Sequence, residues 1–301
     1  MKESYKYKAF GLKIESEFAI PEFHSAKFER AEININYGKN PNQISGMKDH
    51  GVLYQAKKDD FLLRLDTVGS FRVQSGRNIT VERINNATDQ ELRLFLLGSA
   101  FGALIHQRGL LPLHGSTIIH KDQAISICGV SGAGKSTLAA ALQKRGYTLL
   151  ADDITAIDIK NGKAWAFPGI PHLKLWEDVL KKMDEDPSSL DRLRPQLKKY
   201  RKPVIKNKSE HPVELQTIII LSSRNKETFN LEEITGAEKF SVLKNNTYRS
   251  QFIVGLETAE KHFKLVAQLA SHAKVYKIER PNSPLLIDEL ADFFSEKAPY
   301  M

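Results

Sequence analysis

The stretch Gly129-Val130-Ser131-Gly132-Ala133-Gly134-Lys135-Ser136 constrains this chain more than any other. It fits G-x-x-x-x-G-K-[ST] at every fixed position, and each fixed position has a physical reason. The polyphosphate tail of a nucleotide is flexible and carries several negative charges. A loop of small residues can fold its backbone N–H groups inward around that tail, and glycines permit the dihedrals and the close approach. Such a loop feeds a helix whose N-terminal dipole also favours anions. The flanks agree: Ala124-Ile-Ser-Ile-Cys128 reads as a strand directly before the loop, and Thr137-Leu-Ala-Ala-Ala-Leu142 is a strong helix former directly after it. Gly129 to Thr137 are therefore expected to bind a nucleoside triphosphate. Lys135 places a full positive charge at the β/γ-phosphates, and Ser136 offers a hydroxyl to Mg²⁺. Cys128 reads as a small buried filler.

The texture of the chain changes on either side of about residue 109. Before it, Tyr5–Ile14, Ala31–Tyr37, Gly51–Gln55, Phe61–Leu65, Ser70–Val73 and Asn78–Glu82 are short runs rich in β-branched and aromatic residues, punctuated by Gly, Asn and Asp. Thr88-Asp-Gln-Glu91 is a capping-box pattern and predicts a helix over Asp89–Arg108, stopped by Gly109. Beyond it, strand-like segments alternate with helical ones. Gly115–His120, Ala124–Cys128, Tyr147–Ala151, Leu215–Leu221 and Val275–Ile278 read as strands, Ser136–Arg145 and Glu257–Ala273 as helices. Ser283-Pro284 opens a last helix, with serine as N-cap and proline in the first turn. The expected fold class is α/β, α+β overall. Residues 1–108 form a β-rich N-terminal domain ending in a connecting helix, and residues 109–301 a P-loop domain.

Bulk properties narrow the setting. No apolar run in the 301 residues approaches the roughly 20 needed to span a bilayer, and the charged N-terminus has no apolar core behind it. One cysteine excludes a disulfide framework. A cytoplasmic protein without membrane attachment is expected. The net charge of +8 is spread out except at Lys198-Lys199-Tyr200-Arg201-Lys202, with Arg192 and Arg194 before it. That run reads either as a solvated face or as a clamp for a phosphate or an acidic substrate. No nucleic-acid-binding motif accompanies it, so no nucleic acid partner is expected.

Two acids and a histidine complete the candidate site. Leu149-Leu150-Ala151-Asp152-Asp153 is an apolar strand ending in paired carboxylates. Adjacent side chains on an extended chain point different ways, so one can serve a metal and the other can face an acceptor hydroxyl. Phosphoryl transfer needs both roles and little covalent chemistry besides. His114, between Leu111-Pro-Leu113 and Gly115-Ser116, is a third candidate.

Leu113-His114-Gly115-Ser116, the P-loop, Arg145-Gly146-Tyr147 and Ala151-Asp152-Asp153 together resemble, in order and spacing, the catalytic domain of bacterial HPr kinase/phosphorylase. The resemblance is good over about residues 110–160 and looser beyond. With Gly11, Ser16-Glu-Phe, Leu96-Leu-Gly98 and Pro168-Gly-Ile-Pro171 followed by Leu173-Lys-Leu-Trp176, the whole chain resembles the HPr-kinase-like proteins of lasso peptide biosynthesis. The resemblance implies a fold related to phosphoenolpyruvate carboxykinase, use of ATP and Mg²⁺, and phosphorylation of a serine hydroxyl. It implies catalytic roles for His114, Lys135, Asp152 and Asp153, with Asp152 as proton acceptor and Ser136 and Asp153 at the metal. The chain departs from the regulatory enzyme at Phe167-Pro-Gly-Ile-Pro-His172, where an acidic residue and an arginine are missing. Neither phosphorylase activity nor HPr as acceptor is therefore expected. Lys174, Lys199 and Arg249 are the basic residues left as substrate contacts.

The expected function is an ATP- and Mg²⁺-dependent serine kinase acting on a peptide or protein, with a lasso peptide precursor as the most specific acceptor. The alternatives are a kinase of a small-molecule hydroxyl and a non-catalytic ATP-binding regulator, which would need the cradle but no base. A homo-oligomer is compatible with the sequence.

Overall fold

A computed structural model describes residues 4–194, 197–204, 210–282 and 286–298. The chain is a mixed α/β protein with several sheets. It divides into two compact units. One comprises Met1–Pro112, Leu193–Leu197 and Tyr248–Lys264, the other Leu113–Arg192, Lys198–Thr247 and Leu265–Met301. Two short segments from late in the chain thus fold with the first unit.

The first unit is built on a nine-stranded sheet. Ile33–Tyr37 sits near its middle, parallel to both Leu12–Ser16 and Asn78–Arg83. The other pairings are antiparallel. The alternation of Ile33-Asn-Ile-Asn-Tyr37 is realised as a half-buried strand, with Ile33 and Ile35 fully buried. The run Tyr5–Ile14 is not one strand. Phe10 and Gly11 adopt left-handed dihedrals (φ 53° and 73°), and Tyr5–Ala9 folds back on Leu12–Ser16 as a tight hairpin. Helix Asp89–Phe95 opens on the capping box of Thr88 and Glu91, continues through one π turn at Leu96–Ala100, and resumes as Phe101–Gln107. Phe101 packs its ring on Phe10 and Phe23 at 5.8 and 5.3 Å, which fixes the helix on the sheet.

The second unit has a sheet whose heart is parallel. Val213–Arg224 lies between Gln123–Cys128 and Lys274–Pro281, parallel to both. Gly115–His120 adds antiparallel to Gln123–Cys128 through the two-residue turn Lys121-Asp122, and Thr148–Ala151 adds beyond it. Helix Lys135–Lys144 is the crossover that leaves the strand Gln123–Cys128. It packs with the last helix, Ile287–Lys297, over a core that includes Leu138, Leu142, Leu149, Ile219 and Phe294. Ser283 and Pro284 lie outside the described residues. In an open parallel sheet the carboxyl ends of the strands form a natural binding edge, and the P-loop is at that edge. Among the described residues no helix is long and apolar enough to cross a membrane.

His106, in the first unit, reports on acid stability. It is buried, and its Nε2 meets the Tyr248 carbonyl at 2.9 Å. Burial pushes its pKa down to about 4 from an ordinary 6.5. Between those values the unfolded chain binds a proton that the native state refuses, so stability falls as pH falls. Denaturant unfolding should show about 2 kcal/mol lost to this group between pH 7 and pH 5. His106→Gln should abolish that share of the pH dependence.

Candidate active site

All the residues of the site belong to the second unit. The cradle starts where the strand Gln123–Cys128 ends. Gly129 has φ 138°, and a Cβ there would sit 2.3 Å from the Leu221 carbonyl oxygen, so no other residue fits. Its N–H donates to Asn246 Oδ1 at 2.8 Å. Gly134, at φ 105°, turns the chain into helix Lys135–Lys144, whose first-turn N–H groups face the cradle. Lys135 is largely buried, and its Nζ donates to the carbonyls of Gly129 and Val130 at 2.8 and 3.1 Å. Burial lowers its pKa, against the opposing pull of Cys128, Asp153 and Asp152. Cys128 is buried, and burial pushes its thiol up to about 11, which leaves it inert.

The strand Thr148–Ala151 delivers the two acids, and they diverge. Asp152 is buried, and both its oxygens are taken. Oδ1 accepts from the hydroxyls of Ser116 (2.6 Å) and Ser136 (2.8 Å), and Oδ2 from the Lys174 N–H (2.9 Å). Asp153 turns left-handed, with φ 71°. Its carboxylate pairs with Lys174 Nζ at 2.7 Å and lies 3.7 Å from His114 Nδ1. Burial raises the Asp153 pKa, but Lys174 and His114 outweigh it and hold the carboxyl at about 2. His114 Nδ1 also meets the Asp153 carbonyl at 3.0 Å. Its pKa is lowered by burial first and by Lys135 next, against Asp153 and Asp152, so the ring is neutral at neutral pH.

A cleft of about 440 Å³ gathers these groups. The P-loop, Asp152, Asp153 and His114 meet there with Lys174 and Trp176 of the strand His172–Trp176 and Lys199 of Leu197–Pro203. Trp176 and Lys199 face each other across that strand pair, with the ammonium 5.4 Å from the indole centroid. The basic run does not act as one patch. Lys198 reaches Glu177 at 3.8 Å, Lys202 pairs with Glu185, Tyr200 and Arg201 are buried, and Lys199 lines the cleft. Arg192 and Arg194 lie over the rings of Tyr200 and Phe95. Arg249 belongs to the first unit, over the ring of Tyr248.

Two residues of the site, Asn246 and Arg280, carry no motif in the sequence. Ser116 stands within the Leu113–Ser116 stretch, and Lys174 is one of the three basic residues expected to contact substrate. Asn246 takes the Gly129 N–H on its side chain and the His114 N–H on its carbonyl, at 2.7 Å, so one residue sets both the loop base and the histidine. Arg280 donates from Nε to the Ala133 carbonyl at 3.0 Å. The segment Phe167–His172 passes behind the acids. Gly169 N–H donates to the Leu150 carbonyl, and a Cβ at Gly169 would come within 2.8 Å of Ala151 Cβ.

No protein-family model matches the chain, and no curated protein matches it. Among solved structures, the HPr(Ser) kinase/phosphatase from Coxiella burnetii is similar, at 17% identity and a TM-score of 0.29, covering 62% of this chain and 98% of that one.

Asn246→Ala leaves the Gly129 N–H and its loop without a partner. It should cost about 1–3 kcal/mol in urea unfolding, the usual penalty for an orphaned donor. Asn246→Asp keeps the acceptor but sets a carboxylate oxygen against the Val242 carbonyl to which Asn246 Nδ2 donates at 2.7 Å, so it should recover only part of the loss.

Proposed function

We propose that the chain is an ATP-dependent phosphotransferase with a serine hydroxyl of a peptide or protein as acceptor. The observation that carries this reading is the convergence, in one cleft, of a complete phosphate cradle with an ionised carboxylate that the cradle does not use. A nucleotide sensor needs Lys135 and Ser136 but has no work for Asp153, Lys174 and His114. The assignment of residues 109–301 to the HPr kinase and phosphoenolpyruvate carboxykinase type is part of the same proposal. It draws on the motif order His114, Gly129–Ser136, Asp152-Asp153. So does the choice of serine, and of a lasso peptide precursor as the most specific acceptor.

The geometry favours the reverse of the expected allocation between the two acids. Both acids line the cleft, but Asp152 holds Ser116, Ser136 and the Lys174 N–H, whereas the Asp153 carboxylate is engaged by the side chains of Lys174 and His114. Ser136 Oγ and Asp152 Oδ1, 2.8 Å apart, are the hard oxygen donors that Mg²⁺ takes directly or through water. Bound there, the ion would supply neutralising charge for the phosphates. Asp153 is then the proton acceptor. The seryl oxygen attacks the γ-phosphorus, the bond to the β,γ-bridging oxygen breaks, ADP leaves, and the hydroxyl proton passes to the Asp153 carboxylate.

Held at about 2 by its neighbours, that carboxylate is a weak base. Lys174 supplies the remedy. Phosphoryl oxygens compete for its ammonium, and as Lys174 moves to them the Asp153 pKa rises toward the ordinary carboxylate value. Neutral His114 completes the site as a hydrogen-bonding group beside Asp153 rather than as a second cation.

Intact-mass spectrometry of a serine-bearing peptide after incubation with the protein, ATP and Mg²⁺ tests the proposal. The peptide should gain one phosphoryl mass, and HPr should not. Lys135→Ala should cost about 3–4 kcal/mol of transition-state stabilisation. Asp153→Asn should reduce turnover by at least roughly a hundredfold with nucleotide affinity retained, while Asp152→Asn should raise the Mg²⁺ requirement. The opposite pattern in the two aspartate variants would return the base to Asp152. No loss in either would sink the kinase mechanism.

A further inference from the structure

Arg280 is a cation of the cleft to which the reading above gives no task. It lies near the end of the strand Lys274–Pro281, and its side chain lines the same cleft as Lys135 and Ser136. It is 9% exposed. Its hydrogen bonds to described residues all go to backbone carbonyls. Nε donates to Ala133 at 3.0 Å, and Nη1 donates to Pro281 at 2.8 Å and Asn282 at 3.5 Å. Nη2 donates to no described residue. No carboxylate pairs with this guanidinium among the described residues. The adjacent Glu279 is engaged by Lys277 at 2.8 Å and by Arg224 at 3.4 Å. Burial is the one influence on its pKa, and it pushes it down.

A buried guanidinium without an anion is costly, and three carbonyl dipoles offset only part of the cost. The remaining donors of its fork have a geometry suited to phosphate. Its Nε contact falls on Ala133, the residue before Gly134, which caps the P-loop helix. The cation is therefore anchored where the helix amides begin to face the ligand.

Taking the P-loop as a nucleotide site, as proposed above, we infer that Arg280 is a further phosphate-binding residue, lending the polyphosphate chain a second fixed positive charge alongside Lys135. The contact to Ala133 ties that charge to the shape of the loop, so the arginine and the loop grip one ligand together.

The test is titration calorimetry of the full chain with Mg·ATP and, separately, with inorganic tripolyphosphate, which has neither base nor ribose. Arg280→Gln deletes the charge and keeps a donor for the Ala133 carbonyl. It should weaken both ligands by the same factor, at least roughly tenfold, the usual scale for a lost charge-assisted hydrogen bond. Its thermal midpoint without ligand should be unchanged or higher, because an uncompensated charge has been removed. Weakened ATP with unchanged tripolyphosphate would make Arg280 a base contact and overturn the inference. So would a lower unliganded midpoint with both affinities retained, which marks a simple brace. Should Arg280→Gln not fold, the Nε–H resonance of Arg280 in the wild-type protein decides, assigned by its disappearance in Arg280→Lys. Movement on adding tripolyphosphate supports the inference and no movement overturns it. Wild-type protein that binds neither ligand overturns the nucleotide reading and this inference with it. Wild-type protein that binds both, no better than Arg280→Gln does, overturns this inference alone.

Discussion

The carboxylate of Asp152 is held by three donors from three separate pieces of chain: the Ser116 hydroxyl on one strand, the Ser136 hydroxyl on the P-loop helix, and the Lys174 N–H on another strand. A buried charge with a full complement of hydrogen bonds is a fixed point, since moving any one partner exposes it to a desolvation cost. The rest of the site is positioned from it. Ser136 brings the helix N-terminus into register with the end of the strand Thr148–Ala151. Lys174 is held by its own backbone, so that its side chain reaches Asp153. The neighbouring acid, freed from structural duty and turned away by a left-handed dihedral, faces the cleft.

The electrostatics of the cleft follow from that arrangement. Cations and anions share it: Lys135, Lys174 and Lys199 with the two aspartates. Burial works against charge on Lys135 and His114. Lys135 is kept charged by its anionic neighbours, whereas His114 loses its proton. Nearby, the β-rich run Lys198–Lys202 shows how a strand distributes charge. Along Leu197–Pro203 the dense basic sequence is dispersed into one cleft-lining lysine, two ion pairs and two buried side chains.

Legibility from sequence tracks the distance along the chain over which a contact forms. The cradle is contiguous, and its flanking strand and helix were readable at once. The capping box at Thr88 and Glu91 is likewise local and has both of its expected hydrogen bonds. The hairpin inside Tyr5–Ile14 was missed because Phe10 sits in its turn, and a bulky aromatic in a left-handed conformation is a poor turn signal. The paired aspartates were legible as a pair, but both lie beyond the end of the strand Thr148–Ala151, and their divergence comes from the left-handed turn at Asp153 rather than from the period of a strand. The roles proposed for them were not legible, because they depend on Lys174, 22 residues from Asp152. Asn246 and Arg280 reach the loop from 117 and 147 residues away, and no local pattern announces them. The late segments that fold with the first unit were invisible for the same reason.

The folded-back posture of Lys135 bears on which molecules the loop admits. Its ammonium already satisfies two carbonyl dipoles of the loop itself, at 2.8 and 3.1 Å. Any anion that recruits it must outcompete those dipoles, and a single weakly charged oxygen offers little surplus over them. A chain of phosphates presents many oxygens at once and a larger charge, so the exchange runs in its favour. If the loop binds a nucleotide as proposed, it would favour a polyphosphate over inorganic phosphate or a monophosphate, each of which meets a lysine already engaged by the loop.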